Sequence, residues 1–252
     1  MESIKTIFYK EPELKDPILI EGLPGVGNVG KLAAEHLLDQ IDAVKLADVY
    51  SKHFPPQVVV DDDGIIKLVN NELYYSKGEG ERPDLLMLLG DYQALTPEGQ
   101  YELSDHVLKV AMKYGTKMIF TLGGYGVGKM VDEPRVLGAA TDMELIEQMK
   151  EKGVIFSKGE PGSGIVGASG LLLGLGKVYG IKAICLMGET SGYFVDPKGA
   201  EAVLRVLADI LKVEIDFSDL KDKAEQIDMI TSKLKEIETP QEPKREDLGY
   251  IG

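Results

Sequence analysis

The sequence predicts an α/β domain whose mainly parallel β-sheet is covered by helices on both faces. Short, continuous apolar runs predict buried strands, because each run is closed by a glycine within a residue or two. Segments with helical spacing of apolar residues lie between these runs. The regular alternation of strand and helix is typical of parallel sheets, which need a crossover helix between neighbouring strands.

Four segments carry the strand signal and five carry the helix signal. The predicted buried strands cover residues 18–20, 85–89, 118–122 and 183–187. The predicted helices cover residues 27–39, 96–114, 141–150, 165–179 and 198–211. The second helix has the clearest start, because Thr96 can cap it and Pro97 suits the first helical position.

One segment interrupts the alternation and predicts an antiparallel insertion. Apolar runs at residues 58–60 and 65–69 flank a turn of three aspartates and a glycine, and a third run follows at 72–76. This arrangement is typical of a meander. Three consecutive aspartates could bind a metal, but they lack the alternating ligands and terminal glutamate of a calcium loop. We therefore interpret them as a solvated turn.

The C-terminal part of the chain differs in composition from the rest. Apolar residues recur there at three- and four-residue steps among charged residues, at Leu220, Ala224, Ile227, Ile230, Leu234 and Ile237. This spacing predicts an amphipathic helix over 218–238 that packs on its own domain or on a neighbouring subunit. We therefore divide the chain into an α/β domain (1–217), this helix, and a flexible charged tail (239–252). The tail ends in Leu248, Gly249, Tyr250, Ile251 and Gly252, an apolar end that could dock on a partner.

Composition excludes several classes of function. The chain has 252 residues, of which 44% are hydrophobic and 28% charged, as expected for a globular protein. The net charge of −14 disfavours nucleic-acid binding. No window reaches the roughly 18 apolar residues of a membrane span, and the N-terminus does not resemble a signal peptide, so we expect a cytoplasmic protein. The single cysteine, Cys185, lies in an apolar run and is interpreted as a small buried hydrophobe.

The first of three glycine-rich segments leaves two interpretations open. Residues 22–30 contain G-x-G-x-x-G between a predicted strand and a predicted helix, the context of a dinucleotide-binding loop. Asp48 lies at a plausible distance along the chain for a ribose contact. However, Pro24 stiffens the turn, and Asp48 lies inside an apolar run rather than at its end. The alternative is that these glycines allow a tight turn and close packing of the helix on the strand.

The other candidate catalytic features are weaker. Residues 123–130 fit the start of a P-loop, but Met130 replaces the hydroxyl residue that binds magnesium. Residues 159–170 contain Ser163 and Ser169 without the spacing of a nucleophile elbow. The three histidines, at positions 36, 53 and 106, lack metal-ligand spacing. We therefore assign no catalytic residue, metal or cofactor, and predict that the chain is not an enzyme.

Seven motifs occur in order over about residues 15 to 215; they are GLPGVGNVGKLAAEHL (22–37), HFPP (53–56), LGDYQ (89–93), TLGGY (121–125), GIVGASGLL (164–172), ETSGY (189–193) and DPKGA (196–200). This ordered set resembles the archaeal proteasome assembly chaperone family, which is related to the second eukaryotic assembly chaperone subunit. The resemblance implies a three-layer α/β/α, phosphorylase-like fold without a catalytic set. It also implies a homo-oligomer that helps proteasome α-type subunits to assemble. Within the motifs, Gly25, Gly27, Asn28 and Tyr125 are our candidates for oligomer or loop contacts.

The family resemblance also implies a role for the C-terminal tail. Several members dock a C-terminal segment, with tyrosine next to last, in pockets between α subunits. Tyr250 is third from the end here, so docking could be direct or through another assembly protein. Leu248, Tyr250, Ile251 and Gly252 are the candidate partner-binding residues. Our leading hypothesis is a non-catalytic chaperone or scaffold, and the alternative is an ATP-dependent or other small-ligand enzyme that uses the glycine-rich loops.

Overall fold

A computed structural model describes residues 2–156 and 164–238, with side chains up to residue 230. In these ranges the chain forms ten strands and six α-helices. The strands are β1 (Ile4–Phe8), β2 (Ile18–Gly22), β3 (Val44–Ser51), β4 (Val58–Val60), β5 (Ile66–Leu68), β6 (Asn71–Ser76), β7 (Leu85–Gly90), β8 (Met118–Gly126), β9 (Val136–Ala140) and β10 (Lys182–Thr190). The helices are α1 (Val29–Gln40), α2 (Pro97–Lys113), α3 (Met143–Lys150), α4 (Ala168–Val178), α5 (Pro197–Leu211) and α6 (Ser218–Glu238).

Eight of these strands form one sheet in the order β1-β3-β6-β7-β2-β8-β10-β9. Its central strands β7, β2, β8 and β10 are parallel. Antiparallel strands flank this block, with β6, β3 and β1 on one side and β9 on the other. The carboxyl ends of the four parallel strands therefore lie at one edge of the sheet.

Helices cover both faces of the sheet and create two hydrophobic cores. Helices α2 and α4 contribute to one core, and α1, α5, α3 and the start of α6 contribute to the other. Strand β2 explains the continuous apolar runs, because Leu19 faces the first core and Ile20 the second, and both are fully buried. The predicted three-layer α/β/α architecture is thus confirmed.

Side-chain caps fix where three of the helices begin. The Thr96 hydroxyl accepts a hydrogen bond from the backbone N–H of Gly99 at the start of α2, as the sequence predicts. Asp142 caps α3 and Asp196 caps α5 in the same way. Each cap satisfies a backbone donor that has no partner inside its own helix.

The predicted three-stranded meander is wrong in its pairing. Strands β4 and β5 form a separate two-stranded hairpin, whereas β6 joins the main sheet between β3 and β7. In the hairpin turn, Asp61 Oδ1 accepts hydrogen bonds from the backbone N–H groups of Asp63 and Ile65. Asp61 therefore stabilises the turn itself, which agrees with its interpretation as a solvated turn.

Helix α6 confirms the predicted helix over residues 218–238 and packs on its own domain through its first turns. Leu220 and Ala224 are buried. Asp228 pairs with Lys198 of α5 at 2.8 Å. Further along, Met229 and Ile230 are each 56% exposed. None of the described helices is both long and apolar enough to cross a membrane.

Candidate interaction site at the carboxyl ends of the parallel strands

Three of the segments singled out in the sequence meet at the carboxyl edge of the sheet. They are the β2–α1 loop, the end of β8, and the start of α4. Gly25, Tyr125 and Ser169 line the same pocket of about 300 Å³. Gly27 and Asn28 lie in the short 3-10 turn beside it, Val26–Asn28. The structure thus brings together the predicted loop residues Gly25, Gly27, Asn28 and Tyr125.

The glycines of the β2–α1 loop allow close packing of backbone. A Cβ on Gly30 would lie 2.0 Å from the carbonyl oxygen of Leu122 in β8. Gly27 has a φ of +62° and lies against Thr190 of β10, whose Oγ1 would be 2.7 Å from an added Cβ. Asn28 follows with a left-handed backbone as well. The loop is therefore shaped by its contacts with β8 and β10, as in the close-packing interpretation.

The dinucleotide interpretation also fails at the predicted ribose contact. Asp48 lies in β3, which β6 and β7 separate from β2, so it is not on the strand next to the glycine loop. Its carboxylate is buried and already bound by Tyr9, Asn70 and Lys45, at 2.6, 2.8 and 2.7 Å. This aspartate is therefore part of the packing of the antiparallel flank of the sheet.

The predicted glycine loop at residues 123–130 is wrong over its first half. Residues 123–126 continue strand β8 and pair in parallel with residues 187–190 of β10. The segment that follows leads to strand β9 instead of a helix. A P-loop needs a free loop that turns into a helix N-terminus, so this segment does not form one.

The pocket itself has the character of an apolar contact surface. Its described lining contains Leu23, Ile165, Met187 and the polar groups of Gln93 and Ser169, and none of these described residues is Lys, Arg or His. Phosphate groups are usually held by such cations or by helix N-termini. Gln93 is held in place, since its amide donates to the Pro24 carbonyl and its oxygen accepts from the Gln100 side chain and from the backbone N–H of Ala168 at the start of α4.

Two exposed apolar side chains line this pocket, Val26 and Val166, and a third, Tyr193, follows Gly192, which lies next to Val26. We call Val26, Val166 and Tyr193 the apolar rim; they are 46%, 95% and 76% exposed. Tyr193 belongs to the loop after β10, whose Gly192 would place a Cβ 3.5 Å from the Val26 side chain. Grouped exposed apolar residues of this kind mark surfaces that contact other proteins. Tyr193 was not among the contact residues predicted from the sequence.

A buried carboxyl group, Glu21, lies beneath the pocket and was also missed. Glu21 Oε2 accepts a hydrogen bond from the Ser169 hydroxyl at 2.8 Å, and Oε1 accepts one from the backbone N–H of Leu23 at 3.1 Å. Burial raises the pKa of Glu21 to about 7, although these hydrogen bonds act in the opposite direction. The signal in the sequence was a single acid inside the apolar strand Ile18–Gly22.

Across the sheet, Glu21 is followed by two further polar side chains. Thr121 of β8 lies beside Glu21 in register, and Cys185 of β10 lies beside Thr121. Cys185 is fully buried, and burial raises the pKa of its thiol to about 12. It is therefore an unreactive core residue, as the sequence predicts. Ser169 is the partner of Glu21, and Ser163 lies outside the described residues.

The three histidines occupy separate places. His36 contacts the carbonyl oxygen of Asp216, His53 pairs with Glu102 at 3.0 Å, and His106 contacts Thr6. No group of three or more His, Cys, Asp or Glu side chains able to hold a metal occurs among the described residues. The predicted partner-binding residues Leu248, Tyr250, Ile251 and Gly252 lie outside the described part of the chain.

Comparison with known proteins now places the chain in a family. A model of the PAC2 family matches residues 19–235. The chain belongs to the PAC2 family. One uncharacterized protein of Methanocaldococcus jannaschii is 42% identical to this PAC2 protein, and the match covers 95% of this chain and 93% of the relative. A second uncharacterized protein of the same organism is 30% identical, and the match covers 94% of this chain and 92% of the relative.

Solved structures of two Pyrococcus furiosus proteins are similar to this PAC2 chain. PbaB, an archaeal proteasome activator, is 43% identical and superimposes with a TM-score of 0.89, covering 93% of this chain and 100% of PbaB. PbaA, an archaeal homolog of proteasome-assembly chaperone, is 27% identical with a TM-score of 0.78, covering 94% and 93% of the two chains. The resemblance inferred from the sequence motifs is thereby confirmed.

Proposed function

We propose that this PAC2 protein is a non-catalytic, protein-binding chaperone or scaffold that assists assembly of the proteasome α ring or of a related complex. The observation that carries the proposal is the likeness to PbaB, which extends over the full length of that proteasome activator. The likeness to PbaA, a homolog of proteasome-assembly chaperone, supports the same class of function. We further propose that the protein works in the cytoplasm as a homo-oligomer.

The chemistry of the carboxyl edge supports protein binding over nucleotide chemistry. In the β2–α1 loop, Gly27 is packed against Thr190 of β10 and Gly30 against Leu122 of β8, which leaves Gly25 as the glycine of the G-x-G-x-x-G set that is open to the pocket. The described lining of the pocket offers no cation for an anionic ligand. The apolar rim instead offers side chains suited to a partner surface.

We propose proteasome α-type subunits, or another assembly protein that binds them, as the partner. Under this proposal the C-terminal residues Leu248, Tyr250, Ile251 and Gly252 form the docking end, and the apolar rim is a second contact. The net charge of −14 would speed encounter with a basic partner surface and make binding weaken as salt rises.

An assembly assay tests this proposal. Purified α-type subunits of the source organism are mixed with the full chain, and ring formation is followed by native mass spectrometry. The full chain should accelerate ring formation or form a complex with α subunits. A chain truncated after Glu238 should lose this effect while its thermal melting temperature stays unchanged, because the truncation leaves both hydrophobic cores intact.

A matched pair of variants separates the docking end from the rest of the tail. Tyr250→Ala should weaken capture of the partner, whereas Glu242→Ala, in the charged part of the same tail, should not. Capture that survives truncation would remove the tail from the mechanism and leave the apolar rim as the contact. Absence of any effect on α subunits, by the full chain, would contradict the proposed function.

A further inference from the structure

The pocket at the carboxyl edge lies above a row of polar side chains. Glu21, Thr121 and Cys185 are next to one another in register on β2, β8 and β10, and we call them the polar row. Two residues further along the same face, Gly123 pairs with Met187, and both of these residues line the pocket. The polar row therefore forms the level directly beneath the pocket.

Gly123 leaves the space over the polar row open. An added Cβ at this position would have one atom within 4 Å, the Met187 Cγ at 3.8 Å. Ser169, the hydrogen-bond partner of Glu21, also lines the pocket. The pocket therefore extends down to the Ser169 hydroxyl.

The base of the pocket has unused hydrogen-bonding capacity. The Ser169 hydroxyl donates its one hydrogen to Glu21, so its oxygen can accept a hydrogen bond from a ligand. No described residue gives the buried Thr121 hydroxyl a partner stronger than the Cys185 thiol, a weak hydrogen-bonding group. A ligand that carries a hydrogen-bond donor would match this base.

The base also holds an acid that no described cation balances. Glu21 is bound by the Ser169 hydroxyl and by backbone N–H groups. Leu88 of β7 and Thr121 of β8 flank it in the sheet, and the Cys185 thiol, with a pKa of about 12, is uncharged at neutral pH. Because the pKa of Glu21 is about 7, the carboxyl ionises above that pH and would attract a bound cation.

We propose that this pocket binds the side chain of a lysine on a partner protein. The aliphatic stem would lie against Leu23, Ile165 and Met187, and the ammonium would donate to the Ser169 hydroxyl oxygen. That oxygen is 2.8 Å from the Glu21 carboxylate, so the ammonium would lie within about 6 Å of the negative charge. A cation with an apolar stem thus matches both the walls and the base.

The surroundings of the pocket favour a lysine of a protein over a free amine or an arginine. A small amine would leave the apolar rim exposed, whereas a partner surface would cover it. The net charge of −14 favours a partner with a basic surface. The single acceptor on Ser169 suits the point charge of an ammonium, whereas a guanidinium carries five donors in a planar fork. This inference rests on the proposed function, because it names the feature of the partner that the carboxyl edge recognises.

The n-butylammonium ion, which has the stem and head of a lysine side chain, is the probe. Its binding to the full chain is followed by NMR of ¹³C-labelled methionine methyl groups, since Met187 lines the pocket. We expect a saturable shift of the Met187 signal, and 1-butanol, the neutral counterpart, should bind at least fivefold more weakly at pH 8.5. An unchanged Met187 signal would overturn the proposal, and so would equal binding of the two compounds.

The charge of Glu21 should control the affinity for the probe. An alkyl ammonium, with a pKa of about 10.4 as in lysine, stays protonated up to pH 8.5. Glu21 gains a proton as pH falls through about 7, so the dissociation constant should rise at least fivefold between pH 8.5 and pH 6. In Glu21→Gln it should be at least fivefold higher than in the wild type at pH 8.5 and independent of pH.

A surface acid provides the matched control for the lost charge. Glu98 is exposed in the first turn of α2, so Glu98→Gln changes the net charge by the same amount as Glu21→Gln. Its dissociation constant for butylammonium should stay within twofold of the wild-type value. Equal affinities of the two glutamine variants would refute a role for the buried carboxyl.

A pair of glycine variants tests the place of binding. Gly123→Val fills the pocket from its floor, where an added Cβ has room. Gly174→Val makes the same change in α4, at an exposed glycine whose added Cβ would have no atom within 4 Å and which does not line the pocket. Butylammonium should bind at least tenfold more weakly to Gly123→Val and with unchanged affinity to Gly174→Val. Equal binding by both variants would place the probe elsewhere and refute the proposal.

Competition with the partner tests the source of the lysine. Capture of α-type subunits by the full chain should weaken at least threefold at saturating butylammonium, relative to the same concentration of sodium chloride. Unchanged capture, with binding of the probe intact, would exclude a partner lysine as the occupant. Absence of capture without any competitor would instead contradict the proposed function, and binding of butylammonium is measured without the partner, so the two failures are distinguishable.

Discussion

Replacing Glu21 by glutamine should remove a pH-dependent loss of stability. Glu21 is fully buried, and no cation contacts it among the described hydrogen bonds and ion pairs; its partners are the Ser169 hydroxyl and backbone N–H groups. Its pKa rises from 4.5 to about 7 because burial disfavours the charged form. Well below pH 4.5, the pKa of Glu21 in the unfolded chain, the carboxyl is protonated in both the folded and the unfolded state and makes no difference to stability. Between pH 4.5 and about 7, Glu21 loses its proton in the unfolded chain but keeps it in the folded chain, so folding becomes less favourable as pH rises.

The size of this effect on stability follows from the size of the shift in the pKa of Glu21. The difference between 4.5 and about 7 corresponds to about 3 kcal/mol of unfolding free energy above pH 7. Glutamine keeps an oxygen acceptor for the backbone N–H of Leu23, and its amide can donate to the Ser169 hydroxyl. We therefore expect Glu21→Gln to be about as stable as wild type at pH 4.5 and about 1–3 kcal/mol more stable at pH 8.

Denaturant unfolding of both proteins, measured from pH 4.5 to 8, gives the difference directly. Other titrating groups cancel in the comparison, because the two chains differ at one position. A stability difference that grows through pH 5–7 in favour of glutamine confirms the burial argument. A difference that stays constant with pH, or that reverses in favour of glutamate above pH 7, would show that the carboxyl is solvated or paired.

Three further predictions follow from the glycine loop, a helix cap and the ligand question. Gly30→Ala should destabilise the fold by about 2–3 kcal/mol, because the new Cβ would lie 2.0 Å from the carbonyl oxygen of Leu122. Gly25→Ala is the control: its Cβ would have no atom within 4 Å, so stability should change by less than about 0.5 kcal/mol. Thermal unfolding of the two variants and the wild type measures the difference. Asp196→Ala should cost about 1 kcal/mol in denaturant unfolding, since its side chain accepts from the backbone N–H of Gly199 at the start of α5. ATP, ADP and NAD at millimolar concentration should leave the melting temperature unchanged; a ligand at 100 times its dissociation constant would add about 2.7 kcal/mol, so a clear upward shift would favour the enzyme alternative.

The parallel core of the fold was predictable because its strands are buried on both faces. Continuous apolar runs such as that of Ile18–Gly22 place successive residues in two different cores, and glycines mark their ends. The helix starts were predictable where a side chain caps the first turn, as Thr96 does. These signals are local, and each can be recognised within about ten residues.

The edges of the sheet gave no such signal. Strand β1 is partly exposed, and β9 contains alanine and glycine, so neither shows a long apolar run. The role of β6 depends on which strands it pairs with, and pairing between distant segments is set by tertiary packing. For the same reason residues 123–126 resembled a glycine loop, although pairing with β10 makes them a strand.

The candidate site was predictable in its location but not in its polar interior. The sequence motifs identified Gly25, Gly27, Asn28 and Tyr125, which the fold brings to one edge. The Glu21–Ser169 contact joins residues 148 positions apart, so no local pattern could reveal it. The division of the chain at residues 217 and 238 stays a prediction, as do the contacts of the C-terminal tail.

Native mass spectrometry of the full chain mixed with proteasome α-type subunits, in nucleotide-free buffer, tests the central claim most directly. We predict a complex of defined stoichiometry that contains both proteins. α subunits whose mass spectrum and rate of ring formation are unaffected by the chain would contradict the account.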